Sequence, residues 1–462
     1  MVRLVRDGHT FDVWLERRDG PYQMFGREDG GEVEQLDTPR GYSNHDIKQI
    51  LVQRLESGWH RVRDPEREVD VETEPAEPTL EAALRANDDE AAALVYADWY
   101  QQRQHPRGQL IAIQIALAKQ PDDPVLRGAE IALFEREQER LLGPIGKRRE
   151  SYHLGVDLTW RNGFVHAARI DGMDYAPAAE ELLWEVLRHP STRFLRELVI
   201  GCHAFGDQDN QLMTTFLLHA GPTPPLRKLV LADFDDSNID NIDISRAWLG
   251  DFSYLSDKYP LLEDVVLKGR LIGAQDNARR AGGLQGLALR HCQRFAIQTS
   301  GLMAETVASI GDAEWPELRE LELWTGTEDY GCTCGPDDVA RFLERAQLPK
   351  LRVLRLMNCE FTDELCLVLP AYARRHPLEV IDFSLGTLTD DGADMLIAER
   401  SAFAGLKSLV VHDNCLTPDG LARLREAGLS IDLAPPYPGK GWRHSYRSPD
   451  AQKTERYVSV TE

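Results

Sequence analysis

Along the C-terminal half of the chain, apolar residues recur in one phrase, L-x-x-L-x-L. Its copies are Leu195, Leu198, Ile200; Leu226, Leu229, Leu231; Leu262, Val265, Leu267; Leu284, Leu287, Leu289; and Leu318, Leu321, Leu323. It continues through Leu351, Leu354, Leu356; Leu378, Ile381, Phe383; Leu406, Leu409, Val411; and a worn copy at Ile431 and Leu433. Third apolar positions of successive copies stand roughly 22 to 36 residues apart, a spacing that marks an array of repeats carrying insertions. In LRVLRLMNCEFTDELCLVLPAYARR the phrase gives way to a turn, then to Leu365, Val368, Leu369 and Tyr372 at helical spacing. The stretch LKSLVVHDNCLTPDGLARLREAG repeats that order, with Pro418 near a helix start and Gly428 past its end. Each unit thus predicts a strand followed by a helix.

Upstream the period changes. Residues 79–120 carry Thr79 and Asp88 or Asp89 as N-caps, then Leu80, Ala83, Leu84 and Leu94, Val95, Trp99 at helical spacing, with His105-Pro106 breaking the run before Leu110 to Leu117. Another helix is predicted over 124–143, and LTWRNGFVHAARI, 158–170, reads as strand with Gly163 at a turn. Alternation in FDVWLERRDGPYQMFGRED predicts two strands joined around Asp19-Gly20, and Ile47, Ile50, Leu51 and Leu55 give HDIKQILVQRLESGWHRV an amphipathic helix. VDVETEPAEP, 69–78, has the acidic, Pro-containing composition of a linker.

Three resemblances follow from these residues. The array over roughly 190–433 resembles leucine-rich repeats of the α/β type typified by ribonuclease inhibitor, which implies a curved solenoid with a parallel β-sheet on its concave face. Cys292, Cys359 and Asn414 fall where that pattern places Asn or Cys, and Cys202 and Cys415 lie one place off, as small buried side chains. LVYADWYQQRQHPRGQLI resembles the repeat-companion domain found beside such repeats in large bacterial genomes, a family that implies context rather than chemistry. The N-terminal pattern, with Phe25-Gly26-Arg27 at the motif and LVQRLESGWHRV as closing helix, is similar to a WGR domain, some members of which contact DNA ends. The expected fold is therefore α/β and multi-domain: a small α+β WGR-like module at 1–68, the linker at 69–78, a helical cap at 79–190, repeats at 191–433 and a tail at 434–462.

A length of 462 residues supports several packed units, and 42% hydrophobic with 28% charged residues is a globular balance. Against 53 Lys+Arg stand 76 Asp+Glu, and residues 1–68 hold 11 basic against 14 acidic residues, so neither the chain nor its first module carries the cationic footprint of a phosphate binder. Nucleic acid is the alternative partner, not the expected one. Seven cysteines are too few and too unevenly spaced for a disulfide framework, and Cys332 and Cys334 lack the further ligands of a closed zinc site. No apolar run suits a bilayer span and MVRLVRDGHTFDVW lacks a signal-peptide core, so a cytoplasmic protein is expected. Phosphate-loop, dinucleotide, zinc-protease and nucleophile-elbow motifs are missing, so no catalytic, cofactor or metal residue is assigned.

What the array offers is a surface for a protein partner, such as an effector enzyme in bacterial signalling or defence. The residue between the second and third apolar positions faces away from the core. That column reads Val199, Val230, Val266, Ala288, Glu322, Arg355, Asp382 and Val410, beside Lys268, Arg290, Trp324, Met357 and His412. Its apolar members are expected to form an exposed strip. In the tail, RYVSVTE puts Val458 and Val460 on one face and Tyr457, Ser459 and Thr461 on the other, a pattern fit for docking as an extended peptide.

Overall fold

The computed structural model describes residues 2–17, 22–36, 43–62, 74–86, 89–148, 154–172, 178–201, 210–219, 223–233, 244–271, 283–434 and Val458. It is a mixed α/β structure that divides into two compact units, Met1–Gly201 with Thr215–Arg227, and Cys202–Thr214 with Lys228–Glu462.

The first unit opens with strands β1 (Val2–Arg6), β2 (His9–Arg17), β3 (Tyr22–Glu28), β4 (Glu34–Gln35) and β5 (His60–Val62), antiparallel in the order β4-β3-β2-β1-β5, with helix α1 (Ser43–Glu56) between the last two in sequence. Asp7 and Gly8, both at positive φ (51° and 85°), close the β1–β2 hairpin, the twist a two-residue turn requires. Val2, Leu4, Phe11, Val13 and Met24 form the apolar side of the sheet, and Ile47, Leu51 and Leu55 are buried on α1. Phe25 stacks on Trp14 at 6.1 Å between ring centroids. On the face that Phe25 and Trp14 share, opposite the apolar side, Asp12 is buried and accepts from Arg3 Nε and Arg27 Nη2, each at 2.6 Å. Burial opposes that charge, and the two arginines overcome it, holding the carboxyl below its usual range.

Four helices follow: α2 (Pro78–Ala86), α3 (Glu90–Gln101), α4 (Pro106–Lys119) and α5 (Pro124–Arg148), the last broken at Glu137 and Gly143. Thr79 lies inside α2 rather than capping it, whereas Asp89 caps α3 through Ala91 N. The expected strand at 158–170 is a hairpin, β6 (Leu154–Arg161) and β7 (Phe164–Gly172), turned by Asn162 and Gly163 at φ 50° and 77°. Then come α6 (Ala178–Arg188) and β8 (Glu197–Gly201), which runs parallel to β7.

A buried ion cluster joins these pieces. Two His-Pro-x segments have the same geometry: His105 Nδ1 accepts from Arg107 N at 3.3 Å, and His189 Nδ1 accepts from Ser191 N at 3.1 Å. The third residues of the two segments then meet, Arg107 Nη2 donating to Ser191 Oγ at 2.7 Å. Arg107, wholly buried, also donates to Glu74 and to the Gly163 carbonyl, and Arg193 donates to the other Glu74 oxygen at 3.0 Å. Burial, with the nearby Arg107 charge, pushes His189 down to about 4, which keeps its Nδ1 an acceptor at neutral pH.

The remaining elements are α7 (Gln211–His219), β9 (Lys228–Asp233), β10 (Trp248–Gly250), α8 (Leu255–Lys258), β11 (Asp264–Lys268), β12 (Arg270–Leu271), β13 (Arg294–Gln298) and α9 (Ala304–Asp312). After them strands and helices alternate strictly: β14 (Glu320–Gly326), α10 (Pro336–Arg345), β15 (Val353–Cys359), α11 (Thr362–Ala373), β16 (Val380–Asp382), α12 (Asp390–Ala398), β17 (Ser408–Val410), α13 (Pro418–Glu426) and β18 (Ile431–Asp432). Strands β9, β11 and β13 to β18 pair in parallel in that order. One expected copy moves. Leu284, Leu287 and Leu289 are buried in a connection, and the strand lies later, with Cys292, Phe295 and Ile297 as its apolar phrase. Pairing decides this, because Phe295 and Ile297 stand opposite Val265 and Leu267 of β11. Cys292 therefore fills the first apolar position, not the Asn/Cys slot; Cys359 and Asn414 keep theirs, and Asn414 Nδ2 donates to the Phe383 carbonyl at 2.9 Å.

Consecutive helices are stapled at their starts. Asp363 accepts from Thr389 N and Oγ1 at 2.8 and 2.6 Å, and Asp390 from Thr417 N and Oγ1 at 3.0 and 2.7 Å. Thr389 and Thr417 are the N-caps of α12 and α13, so each aspartate holds the start of the next helix. The third residue after each threonine is glycine, because a Cβ there would stand 2.3 Å (Gly392) or 2.1 Å (Gly420) from the carboxylate. Gly392→Ala and Gly420→Ala should each lower stability by about 1–3 kcal/mol, whereas Gly405→Ala, with open space at its Cβ, should stay within about 0.5 kcal/mol in urea unfolding.

Burial opposes the Asp390 charge, but the Thr417 hydrogen bonds and Arg423 outweigh it and set the pKa below normal. The staple's contribution is then full above the unfolded carboxyl value and is lost as pH falls through the folded one. Urea midpoints of the parent and Asp390→Ala should differ at pH 7 and converge below about pH 4.

Candidate protein-binding face of the parallel sheet

Register converts sequence positions into columns. On the face away from the Leu321/Leu323 side, the first column runs Lys228, Asp264, Arg294, Glu320, Val353, Val380, Ser408. The second runs Val230, Val266, Ala296, Glu322, Arg355, Asp382, Val410, Asp432. Beyond it Lys268 pairs with Gln298, and Trp324 with Met357.

Charges alternate along and across these columns. Arg294 reaches Asp264 at 3.2 Å, Glu320 at 3.3 Å and Glu322 at 3.4 Å; Arg355 reaches Glu320 at 3.1 Å and Asp382 at 2.6 Å. Glu322, fully buried, also accepts from Gln298 Nε2 at 2.8 Å and Trp324 Nε1 at 2.9 Å. Burial disfavours the Arg355 charge, and Asp382 and Glu320 more than offset that, so its pKa stands above the usual arginine value. The side chains of Asp264, Arg294, Glu320 and Arg355 stay 24–30% exposed, which leaves a row of paired charges open to a partner.

The expected site residues are distributed unevenly over this frame. Val230, Val266, Glu322, Arg355, Asp382 and Val410 share the second column as the alternation requires, and Trp324 and Met357 lie beside it. Ala288 and Arg290 do not: they precede β13, and Ala296 and Gln298 hold those places. Val199 is half-buried in β8 of the first unit, opposite Arg169. His412 follows β17 with Nδ1 3.0 Å from the Leu433 carbonyl oxygen. Exposure departs from expectation: Val230 and Val266 are 7% and 5% exposed, and Glu322, Trp324, Met357 and Asp382 are 0% exposed, so the apolar strip is covered. Alternation identifies the face of a side chain, not what lies over it. Of the expected tail anchors, Val458 is buried, while Tyr457 and Val460 lie outside the described residues.

Two other places carry chemically distinctive side chains. Burial raises Cys332 to about 11 and Cys359 to about 12, and pushes Cys334 and Cys366 up as well, so all four are poor nucleophiles. Among the described residues no group of three or more His, Cys, Asp or Glu side chains could hold a metal ion, and no helix is long and apolar enough to cross a membrane. In the N-terminal module a cavity of about 650 Å³ is lined by Phe11, Trp59, Arg6, Arg27, Arg54 and Glu28 among others. Its arginines are engaged: Arg54 lies 4.0 Å from the Phe11 ring centre and donates to Glu28 at 2.6 Å, Arg6 donates to the Ser57 carbonyl at 2.8 Å, and Arg27 holds Asp12.

No family model matches the chain, and no curated protein matches it. Among solved structures, a crystal structure of a protein from Bacteroides fragilis matches with a TM-score of 0.47 and 15% identity, over 100% of this chain and 99% of that one. A similarity at that level carries no argument about activity.

Burial separates the two glutamates of β14. Glu322→Ala takes a buried acceptor from the Gln298 and Trp324 donors and should cost about 3 kcal/mol or more. Glu320→Ala removes half-exposed pairs and should cost less than about 1 kcal/mol. Equal urea midpoints for the two variants would contradict the assignment.

Proposed function

We propose that this protein is a non-enzymatic interaction scaffold, a leucine-rich repeat array that recognises a protein partner with the charged face of its parallel sheet. The single observation that carries the reading is the open row Asp264, Arg294, Glu320 and Arg355, fixed in register across β11 to β15. Because each charge already has an opposite neighbour, the row offers a pattern rather than a net field, which favours specificity over long-range attraction. On this reading the repeat-companion-like helices and the WGR-like module are accessories, and the setting is cytoplasmic regulation of an effector in bacterial signalling or defence.

The competing reading places nucleic acid on the WGR-like module. The prior engagement of Arg6, Arg27 and Arg54 weighs against it, since each would have to leave an acceptor to reach a phosphate. One experiment separates the two. Tagged full-length protein drawn from native lysate should retain the same protein partner with and without nuclease, and Arg294→Glu with Arg355→Glu should reduce that retention about tenfold or more. Capture abolished by nuclease, or retention of a short duplex at physiological salt with steep loss on adding salt, would favour the competing reading.

A further inference from the structure

We propose that the face of the N-terminal module between α1 and β5 is a receptor for an acidic helix, and that α6 fills it in cis and keeps it closed to other ligands. A lysine or arginine is rarely buried without a matched anion. Two are buried here, Lys48 on α1 at 2% exposure and Arg61 on β5 at 6%. Arg61 stands opposite Leu4, so it leaves the sheet on the side where Arg54 of α1 overlies Phe11. β5 is also the edge of its sheet, so no further strand of the module lies beside it.

The anions come from α6. Arg61 Nε donates to Glu181 Oε1 at 3.0 Å and Nη2 donates to Oε2, a bidentate fork, while the guanidinium lies 4.1 Å from the Trp184 ring centre. Lys48 Nζ stands 3.2 Å from Glu180 Oε1, with the two side chains 3% and 0% exposed. At roughly 100° per residue, Glu180, Glu181, Trp184 and Arg188 fall on one half of the helix and Ala179, Leu182, Leu183, Val186 and Leu187 on the other. The apolar half seats α6 beside β7, and the acidic half has the module's cations as partners.

Buried charge pairs contribute to choice more than to tightness, because their attraction is offset by desolvation. The face therefore selects for a Glu-Glu-x-x-Trp stripe. β5 ends at Val62, and Glu74 is already fixed by Arg107 and Arg193, so the module hangs on a tether of at most about 40 Å. Such a tether gives α6 an effective concentration on the order of millimolar, which a free ligand has to exceed. The inference concerns the first unit and does not rest on the scaffold reading of the parallel sheet.

The test uses the full chain. Glu180→Lys with Glu181→Lys should raise hydrogen exchange in α1 and β5 about tenfold or more while β2 and β3 stay protected, and adding Lys48→Glu with Arg61→Glu should restore the parent rates. Should the double reversal expose β2 and β3 as well, Glu181→Lys with Arg61→Glu as its rescue decides in its place. A fluorescein-labelled peptide of residues 178–190 should bind the chain carrying Glu180→Gln and Glu181→Gln at least about tenfold tighter than the parent chain, whose face is already filled. Adding Lys48→Gln and Arg61→Gln to that chain should abolish the binding. No recovery of protection on reversing both partners, equal peptide affinity for the parent and the glutamine chain, or binding that survives loss of Lys48 and Arg61 would overturn the proposal.

Discussion

Parallel pairing in one unbroken register is the constraint from which the second unit follows. Parallel neighbours cannot be joined by a tight hairpin, so every strand from β13 to β17 is followed by a crossover to the next, and each of these five crossovers carries one of the helices α9 to α13. The same register puts equivalent side chains about 4.8 Å apart along the sheet. Apolar residues can tolerate that stacking, but like charges cannot. Asp264, Arg294 and Glu320 alternate in sign along one column, and Glu322, Arg355 and Asp382 along the next. A charge introduced at one strand fixes which charges its neighbours can hold.

The first unit solves a different problem. There the strongest polar groups are taken out of water, where a guanidinium is costly unless its donors are matched. Arg107 meets Glu74, the Gly163 carbonyl and Ser191 together, drawing the segment before α2, the β6–β7 turn and the segment after α6 to one point. Such a cluster contributes definition of geometry more than net stability, since its Coulomb gain is offset by desolvation.

Much of this was legible in the sequence, and the gaps have physical causes. L-x-x-L-x-L located the strands because alternation and burial coincide there; it misplaced one because Leu284, Leu287 and Leu289 satisfy the spacing better than Cys292, Phe295 and Ile297, and only pairing with β11 distinguishes them. The columns placed Trp324 and Met357 beside each other, but alternation says nothing of their lack of exposure. Arg107 was unreadable for the opposite reason, as a periodicity count scores any arginine as surface. The repeated His-Pro was the available signal. The helix staples had one too, since Thr-Asp-Asp-Gly and Thr-Pro-Asp-Gly stand at equivalent places in two units.

Those staples also set the phase in which units can be added or removed. Each runs from an aspartate directly after one unit's threonine to the threonine of the next, Thr362-Asp363 to Thr389-Asp390 to Thr417. The middle unit, with Thr389 and Asp390, is therefore a donor on one side and an acceptor on the other, so a whole unit gained or lost there would leave the joints matched, whereas a fraction of one would not. At Thr417 the next residue is Pro418, which has no carboxylate to offer. The series of staples stops there, at one residue.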